Sequence, residues 1–236
     1  MKVSIVIPTY NERENIEKLL PEIFGIFDRG GIDGSVIVVD DNSPDGTADA
    51  VEGLKREFPI TLIRRQEKGG IGSAYITGFG KALEQGADVI VEMDADLSHD
   101  PNEIPNFIVN TTNFDLVLGS RYIKGGGIEN WNFIRRIISK GGNLVARILL
   151  GLDVEDVTTG YRAYRRETLE GIELGSIKSN GYAFQAEMLV RARERGFSIK
   201  EMPITFRDRV HGKSKLSRME IIRFIVLCIN LRLRGL

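Results

Sequence analysis

The segment Asp94-Ala95-Asp96 sets two carboxylates one residue apart directly after an apolar run, Asp88 to Met93. Carboxylate oxygens are what hard divalent cations such as Mg²⁺ or Mn²⁺ select, usually shared with the phosphates of a substrate. A cation held there would neutralise charge growing on a departing diphosphate, a Lewis-acid role that needs no proton transfer. Alone, an Asp-x-Asp pair is as readily a solvated acidic turn. Its company favours chemistry: the run Lys2 to Pro8 leads into Thr9-Tyr10-Asn11-Glu12, and the run Ser35 to Val39 leads into Asp40-Asp41.

A second set is basic: Arg121, Arg135, Arg136, Arg207, Arg209, Lys213 and Lys215. Arginine forks grip phosphate oxygens in pairs and lysine acts as a point charge, so the set suits an anionic acceptor or a departing diphosphate; a solvated surface is the competing account. Gly69-Gly70-Ile71-Gly72, with Lys68 beside it, lacks both the spacing and the first-turn position of a dinucleotide fingerprint, and reads as a turn letting backbone pass close to a ligand or helix. The two histidines, His99 and His211, stand at unrelated positions, which argues against a histidine metal site or a triad. Trp131 is read as touching lipid headgroups or capping the core. Asn110-Thr111-Thr112 matches a glycosylation acceptor that has no meaning in a cytosolic chain.

These residues need elements to hold them. Strands are predicted over Lys2 to Pro8, Ser35 to Asp40, Ile60 to Arg65, Asp88 to Met93 and Phe114 to Gly119. Helices are predicted between them, one capped by a box of Asn11 and Glu14, then Thr47 to Phe58, Gly72 to Gln85 and Pro101 to Asn110. Such alternation makes βαβ units, hence an α/β fold with a Rossmann-like, mostly parallel sheet flanked by helices, whose polar strand ends converge on one edge. Beyond Gly119 come a glycine-rich loop at Gly125 to Gly127, an amphipathic helix over Phe133 to Leu150, strands near Tyr161 to Arg165 and Ser198 to Arg207, and a helix over Ala183 to Arg195. One domain spanning 1–236 is expected, with a donor-binding half (1–120) and an acceptor-binding half (121–236).

The 236 residues, 42% hydrophobic and 28% charged, suit a globular protein. A lone cysteine, Cys228, sits in an apolar run and is expected to pack as a small hydrophobe. No secretory leader is apparent, so the chain is expected to stay cytosolic. From Arg191 onward twelve Lys or Arg face four Asp or Glu, so this tail carries about +8 of a net −1 and the remainder about −9. The basic end should face nucleic acid, an anionic membrane or a phosphorylated substrate. The tail Met219 to Leu236 has a longest uncharged run of Phe224 to Leu231, far short of the ~20 residues a bilayer needs. It reads as an interfacial amphipathic helix or a final core helix.

The motifs resemble one family. Pro8 to Asn15, Val38 to Thr47 and Met93 to His99 are similar to the nucleotide and metal motifs of the family 2 glycosyltransferases of the GT-A fold. Gly119 to Tyr122, Thr159 to Arg162, Phe184 to Met188 and Asp208 to Leu216 resemble, within them, the dolichol-phosphate mannose synthases, a group of polyprenyl-phosphate mannosyltransferases. The resemblance implies that Pro8, Tyr10, Glu12, Val39 and Asp41 hold a guanosine. It implies that Asp94, Ala95 and Asp96 meet a divalent cation, Mg²⁺ or Mn²⁺, and the diphosphate, and that Arg121, Arg209 and Lys215 bind phosphates, with Asp96 and these three as the catalytic set. Ser98 stands where some relatives carry Gln, so a third protein ligand is in doubt.

The same resemblance implies a donor, GDP-mannose, an acceptor, dolichyl or polyprenyl phosphate, and no nucleic acid. It implies displacement with inversion to a β-mannosyl phosphate, at the cytoplasmic face of a membrane and with small membrane-anchoring subunits as possible partners. The alternative is a sister enzyme using another donor such as UDP-glucose. A phosphate monoester with a second pKa near ~6 is already mostly dianionic at neutral pH, so the reaction needs no general base. A dinucleotide oxidoreductase would want glycines where this chain has Thr9-Tyr10-Asn11, and a silent binding subunit would be expected to have lost one Asp of the pair.

Overall fold

The computed structural model describes residues 1–177, 179–208, 224–226 and 228–232. In chain order the elements are β1 (Lys2–Thr9), α1 (Arg13–Gly30), β2 (Asp33–Asp40), α2 (Thr47–Leu54), β3 (Ile60–Arg64), α3 (Ile71–Glu84), β4 (Val89–Glu92), α4 (Ile104–Asn110), β5 (Leu116–Ser120), β6 (Gly127–Glu129), α5 (Phe133–Leu150), β7 (Arg162–Arg165), α6 (Arg166–Ile172), α7 (Tyr182–Glu194), β8 (Ile199–Pro203) and β9 (Thr205–Arg207). Seven strands form one sheet in the order β3-β2-β1-β4-β7-β5-β8. All neighbours run parallel except β7, which is antiparallel to both β4 and β5. The mostly parallel α/β sheet is therefore as expected, with one reversed strand that comes from the second half of the chain and completes the sheet of the first.

Alternation along the strands sorts the core into two layers. Val6, Ile37, Val39 and Ile90 point to one face and pack with Tyr75 and Phe79 of α3 and Phe184 of α7. Val3, Ile5, Ile7, Val36 and Val38 point to the other, against Ile16, Leu19, Leu20 and Phe24 of α1. At Gly78 a Cβ would stand 2.2 Å from Val6 Cγ1, so α3 reaches this distance from β1 only because that residue has no side chain.

Several local expectations change. The box of Asn11 and Glu14 does not form; Asn11 is left-handed (φ 61), and the amides leading into α1 are taken by the loop after β2. Asn11 N–H donates to Ser43 Oγ (3.0 Å), Glu12 N–H to Thr47 Oγ1 (3.0 Å) and Arg13 N–H to Asp45 Oδ2 (3.1 Å). Helix α2 stops at Leu54 because Phe58 turns back to stack on Phe24, with centroids 4.6 Å apart. The stretch Ser198 to Arg207 is two strands: at Ile204 the chain leaves the large sheet and β9 pairs in parallel with β6, which begins at the last residue of the expected glycine loop. Helix α6 was not foreseen.

Of the tail, 224–226 and 228–232 are helical, with Phe224, Cys228 and Leu231 turned into the core beside Ala146 and Leu150. Burial pushes the Cys228 thiol up to about 11, leaving it an unreactive apolar filler. Among the described residues no helix is long and apolar enough to cross a membrane.

Candidate active site at the sheet switch point

Strands β2 and β4 lie on opposite sides of β1, so the chain reverses direction across the sheet there, and ligands of such sheets settle beyond the carboxyl ends at this point. The register brings the polar ends together: Thr9 sits opposite Asp40, and Val6 opposite Glu92, two residues before Asp94.

Asp40 is consumed locally. It accepts from Thr9 Oγ1 (2.9 Å), Ser43 N–H (2.9 Å) and Ser43 Oγ (2.5 Å), which fixes the loop after β2. Asp41 is buried and ion-paired with Arg65, whose other nitrogen donates to Ser73 Oγ at the start of α3. Tyr10 is exposed with Lys68 Nζ 3.4 Å from its ring centroid, a cation-π contact at the mouth of the site. Pro8 is half-buried on β1, Glu12 accepts from Asn15 Nδ2 (2.6 Å), and the Val39 side chain is fully buried against α3, so only its backbone faces the site.

Asp94 and Asp96 leave the end of β4 in a tight turn. Tyr75 of α3 donates its hydroxyl to Asp94 Oδ1 (2.9 Å), and the Asp94 amide donates to His99 Nδ1 (3.1 Å). Ala95 is buried, and Leu97 is left-handed (φ 61), a strain of about 1 kcal/mol that folds the Ser98 amide back onto Asp96 Oδ1 (3.1 Å). His99 is thus a fixture of the turn. Burial, which outweighs the nearby Asp96, lowers its pKa to about 4, so the ring is neutral and free to accept; it stacks on Tyr161 at 4.7 Å.

The donor set fits a hard cation. In the same turn as the two carboxylates, Ser98 Oγ is buried without a hydrogen-bond partner among the described residues, an oxygen of the type such a cation accepts. Among those residues no three His, Cys, Asp or Glu side chains are grouped to hold a metal. A cation here would therefore draw the rest of its shell from substrate phosphate and water, the usual habit of Mg²⁺.

Below the pair lies a network to which sequence reasoning assigned no role, although Arg162 and Gln185 stand in segments singled out there. Glu92, wholly buried, accepts from Tyr164 OH (3.0 Å) and from Gln185 Nε2, and burial raises its pKa to about 7. Arg162, also wholly buried, donates to the carbonyls of Val157 (2.9 Å), Thr159 (2.8 Å) and Gln185 (3.0 Å). The visible signal was a glutamate inside an otherwise apolar strand.

The basic set divides. Arg121 is buried and donates through Nε and Nη2 to the two oxygens of Asp156 (2.6 Å each), with Nη2 also on Thr158 Oγ1 (2.9 Å). Burial would lower its pKa, but the Asp156 carboxylate raises it further, so the guanidinium stays charged. Aromatic rings of Tyr122, Trp131 and Phe206 surround it at 5.3–5.6 Å. Arg135 pairs with Asp208 (2.8 Å) and lies 3.9 Å over Trp131; Arg136 donates to Ile128 O (2.6 Å) and Arg207 pairs with Glu129 (3.3 Å). Phe206, which touches the Arg121 cage, also meets His99 edge-on at 5.9 Å and so joins the basic cluster to the Asp turn. Arg209, His211, Lys213 and Lys215 lie outside the described residues.

Residues 4–172 match the family model described as "Glycosyl transferase family 2". The chain belongs to this family of glycosyltransferases. As a family 2 glycosyltransferase it is 46% identical over 218 residues to an undecaprenyl-phosphate mannosyltransferase of Micrococcus luteus, covering 92% of this chain and 88% of that protein. It is 44% identical over 220 residues to a polyprenol monophosphomannose synthase of Mycolicibacterium smegmatis, covering 92% and 82%. Among solved structures it resembles glucosyl-3-phosphoglycerate synthase of Mycobacterium tuberculosis in complex with Mn²⁺, UDP-glucose and glycerol 3-phosphate. The TM-score there is 0.71 at 19% identity, over 98% of this chain and 79% of that one, a likeness that establishes the GT-A type of fold.

Proposed function

We propose that this enzyme transfers mannose from GDP-mannose to a polyprenyl phosphate, with inversion, at the cytoplasmic face of a membrane. The observation that carries the chemistry is the carboxylate pair Asp94 and Asp96 at the sheet switch point, with the unpartnered Ser98 oxygen in the same turn. The acceptor class is supported by the mannosyltransferase relatives at 44–46% identity.

In this reading Tyr10, Glu12, Asp41 and the backbone at Pro8 and Val39 take the guanosine, while Asp94, Ala95 and Asp96 face the diphosphate and hold a divalent cation. When bound, that cation supplies Lewis-acid neutralisation of the leaving diphosphate. Tyr75 and His99 hold Asp94 in place. The acceptor phosphate is its own nucleophile, so the protein's task is positioning and charge, with Arg121, Arg209 and Lys215 offsetting the repulsion between two anions. The Arg121 guanidinium, already matched by Asp156, would serve from a fixed position rather than as a mobile clamp.

The test is transfer of radiolabel from GDP-mannose, with UDP-glucose in parallel, to a polyprenyl phosphate in detergent. Labelled lipid from GDP-mannose alone, abolished by EDTA and by Asp96→Ala with the fold retained, is the expected result. Transfer only from UDP-glucose would overturn the donor. Transfer from neither would overturn the reading.

A further inference from the structure

The turn Gly69-Gly70-Ile71-Gly72, which is no dinucleotide fingerprint, has an occupant: the guanidinium of Arg65. Arg65 follows β3, and its amide donates to Asp40 O (2.8 Å), one step past the ladder of β2 and β3. Its Nη1 donates to Ser73 Oγ (2.5 Å) and its Nη2 to Gly70 O (3.3 Å). A Cβ at Gly69 would stand 2.7 Å from Ser73 Oγ and 3.0 Å from Arg65 Nη1, so the turn seats this side chain only where Gly69 has none.

What Arg65 holds from that seat is Asp41. The Asp41 amide is fixed on β1 through Thr9 O (3.0 Å), and its side chain is 7% exposed. An arginine fork usually takes the two oxygens of a carboxylate with two nitrogens, as Arg121 does with Asp156. Here Nε and Nη2 both converge on Oδ1. No hydrogen bond among the described residues ends on Asp41 Oδ2, whereas both oxygens of the neighbouring Asp40 are taken. A carboxylate so far withdrawn from water, with one oxygen pinned and the other unclaimed, calls for a donor that a ligand brings.

We propose that Arg65 is a positioning residue that turns the unclaimed Oδ2 of Asp41 toward the nucleobase of the donor, and that this oxygen selects bases carrying a hydrogen on the ring nitrogen of their pairing edge. A carboxylate accepts and does not donate. Guanine and hypoxanthine at N1, and uracil at N3, offer it an N–H. Adenine at N1 and cytosine at N3 present a lone pair, which leaves the oxygen unpaired and repels it. The bonds of Arg65 run to Asp41, Ser73 and Gly70, so it acts on the base only through Asp41. Its three-point seat is what a lysine, with a single charged nitrogen, would not reproduce.

The inference rests on the nucleotide-sugar donor proposed above, and free nucleoside diphosphates without lipid separate the two. Binding of GDP, IDP, UDP, ADP, CDP and N1-methyl-GDP to the full chain would be measured by calorimetry in the presence of Mn²⁺. GDP and IDP should agree within about tenfold, ADP and N1-methyl-GDP should bind at least about thirtyfold more weakly than GDP, and UDP should bind more tightly than CDP. Arg65→Gln should bring the ratio of GDP to ADP affinity within about fivefold, and so should the isosteric Asp41→Asn, whose amide offers either an oxygen or an N–H. A general loosening of the site weakens every nucleotide alike and leaves that ratio standing, and Asp41→Asn keeps the side-chain shape where Arg65→Gln lowers the melting temperature. ADP or N1-methyl-GDP binding as tightly as GDP to the wild type would overturn the proposal and leave the transferase reading intact. A ratio unchanged in both variants would do the same. Binding of no nucleoside diphosphate at all would overturn both.

Discussion

Glu92 has no exposed surface and hydrogen-bonding partners on α7 and β7, and its pKa of about 7 makes it a source of pH dependence. A carboxyl whose folded pKa lies above its unfolded value binds more protons when folded. Its contribution is fully present below about 4.5 and is lost as the pH rises through about 7. Glu92→Gln should therefore flatten the decline of melting temperature across that window, measurable by calorimetry at several pH values. The Arg121 and Asp156 pair makes a second prediction. Asp156→Ala leaves a buried guanidinium unmatched and should cost about 3–5 kcal/mol in urea unfolding. At this scale the sequence was uneven to read. Asp94 and Asp96 announce themselves because both carboxylates stand in one short segment. The partner of Arg121 lies 35 positions away, and nothing local to either residue marks the pairing.

Among the elements, the strands and major helices of the first half were legible because burial on both sheet faces writes continuous apolar runs, as in Val36 to Val39. The junctions were not. Helix α1 is capped by side chains some 32 residues ahead, which no scan of its own flanks could reveal. Asp45, which receives the Arg13 amide as well as the Thr47 amide and hydroxyl, should when changed to Ala cost about 1–2 kcal/mol by denaturant titration. Gly78→Ala, forcing a methyl into Val6, should cost about 1–3 kcal/mol and move α3, and with it the Tyr75 support of Asp94. The change of sheet at Ile204 was also hidden, since β8 and β9 read as one extended stretch until the partner β6 is known.

For the whole molecule, the fold class followed from alternation alone, whereas the reversed strand β7 depends on contacts between the two halves of the chain. Hydrogen exchange should rank the amides accordingly: those of β1, β2 and β4, inside the large sheet, exchange close to the global unfolding limit, and those of the two-stranded β6 and β9 ribbon exchange sooner. The amides of Asn11, Glu12 and Arg13 at the entry to α1 are taken by the loop after β2, and the carboxylate of Asp45 already answers the positive end of that helix dipole. The anion cradle that nucleotide-binding sheets usually keep at their first helix is thus already partly filled by the protein's own carboxylate. In a stretch of chain that carries about −9 before Arg191, a diphosphate would arrive with no ready backbone welcome. In the reading proposed above, positive charge from a cation at the Asp94 and Asp96 turn would make good that shortfall.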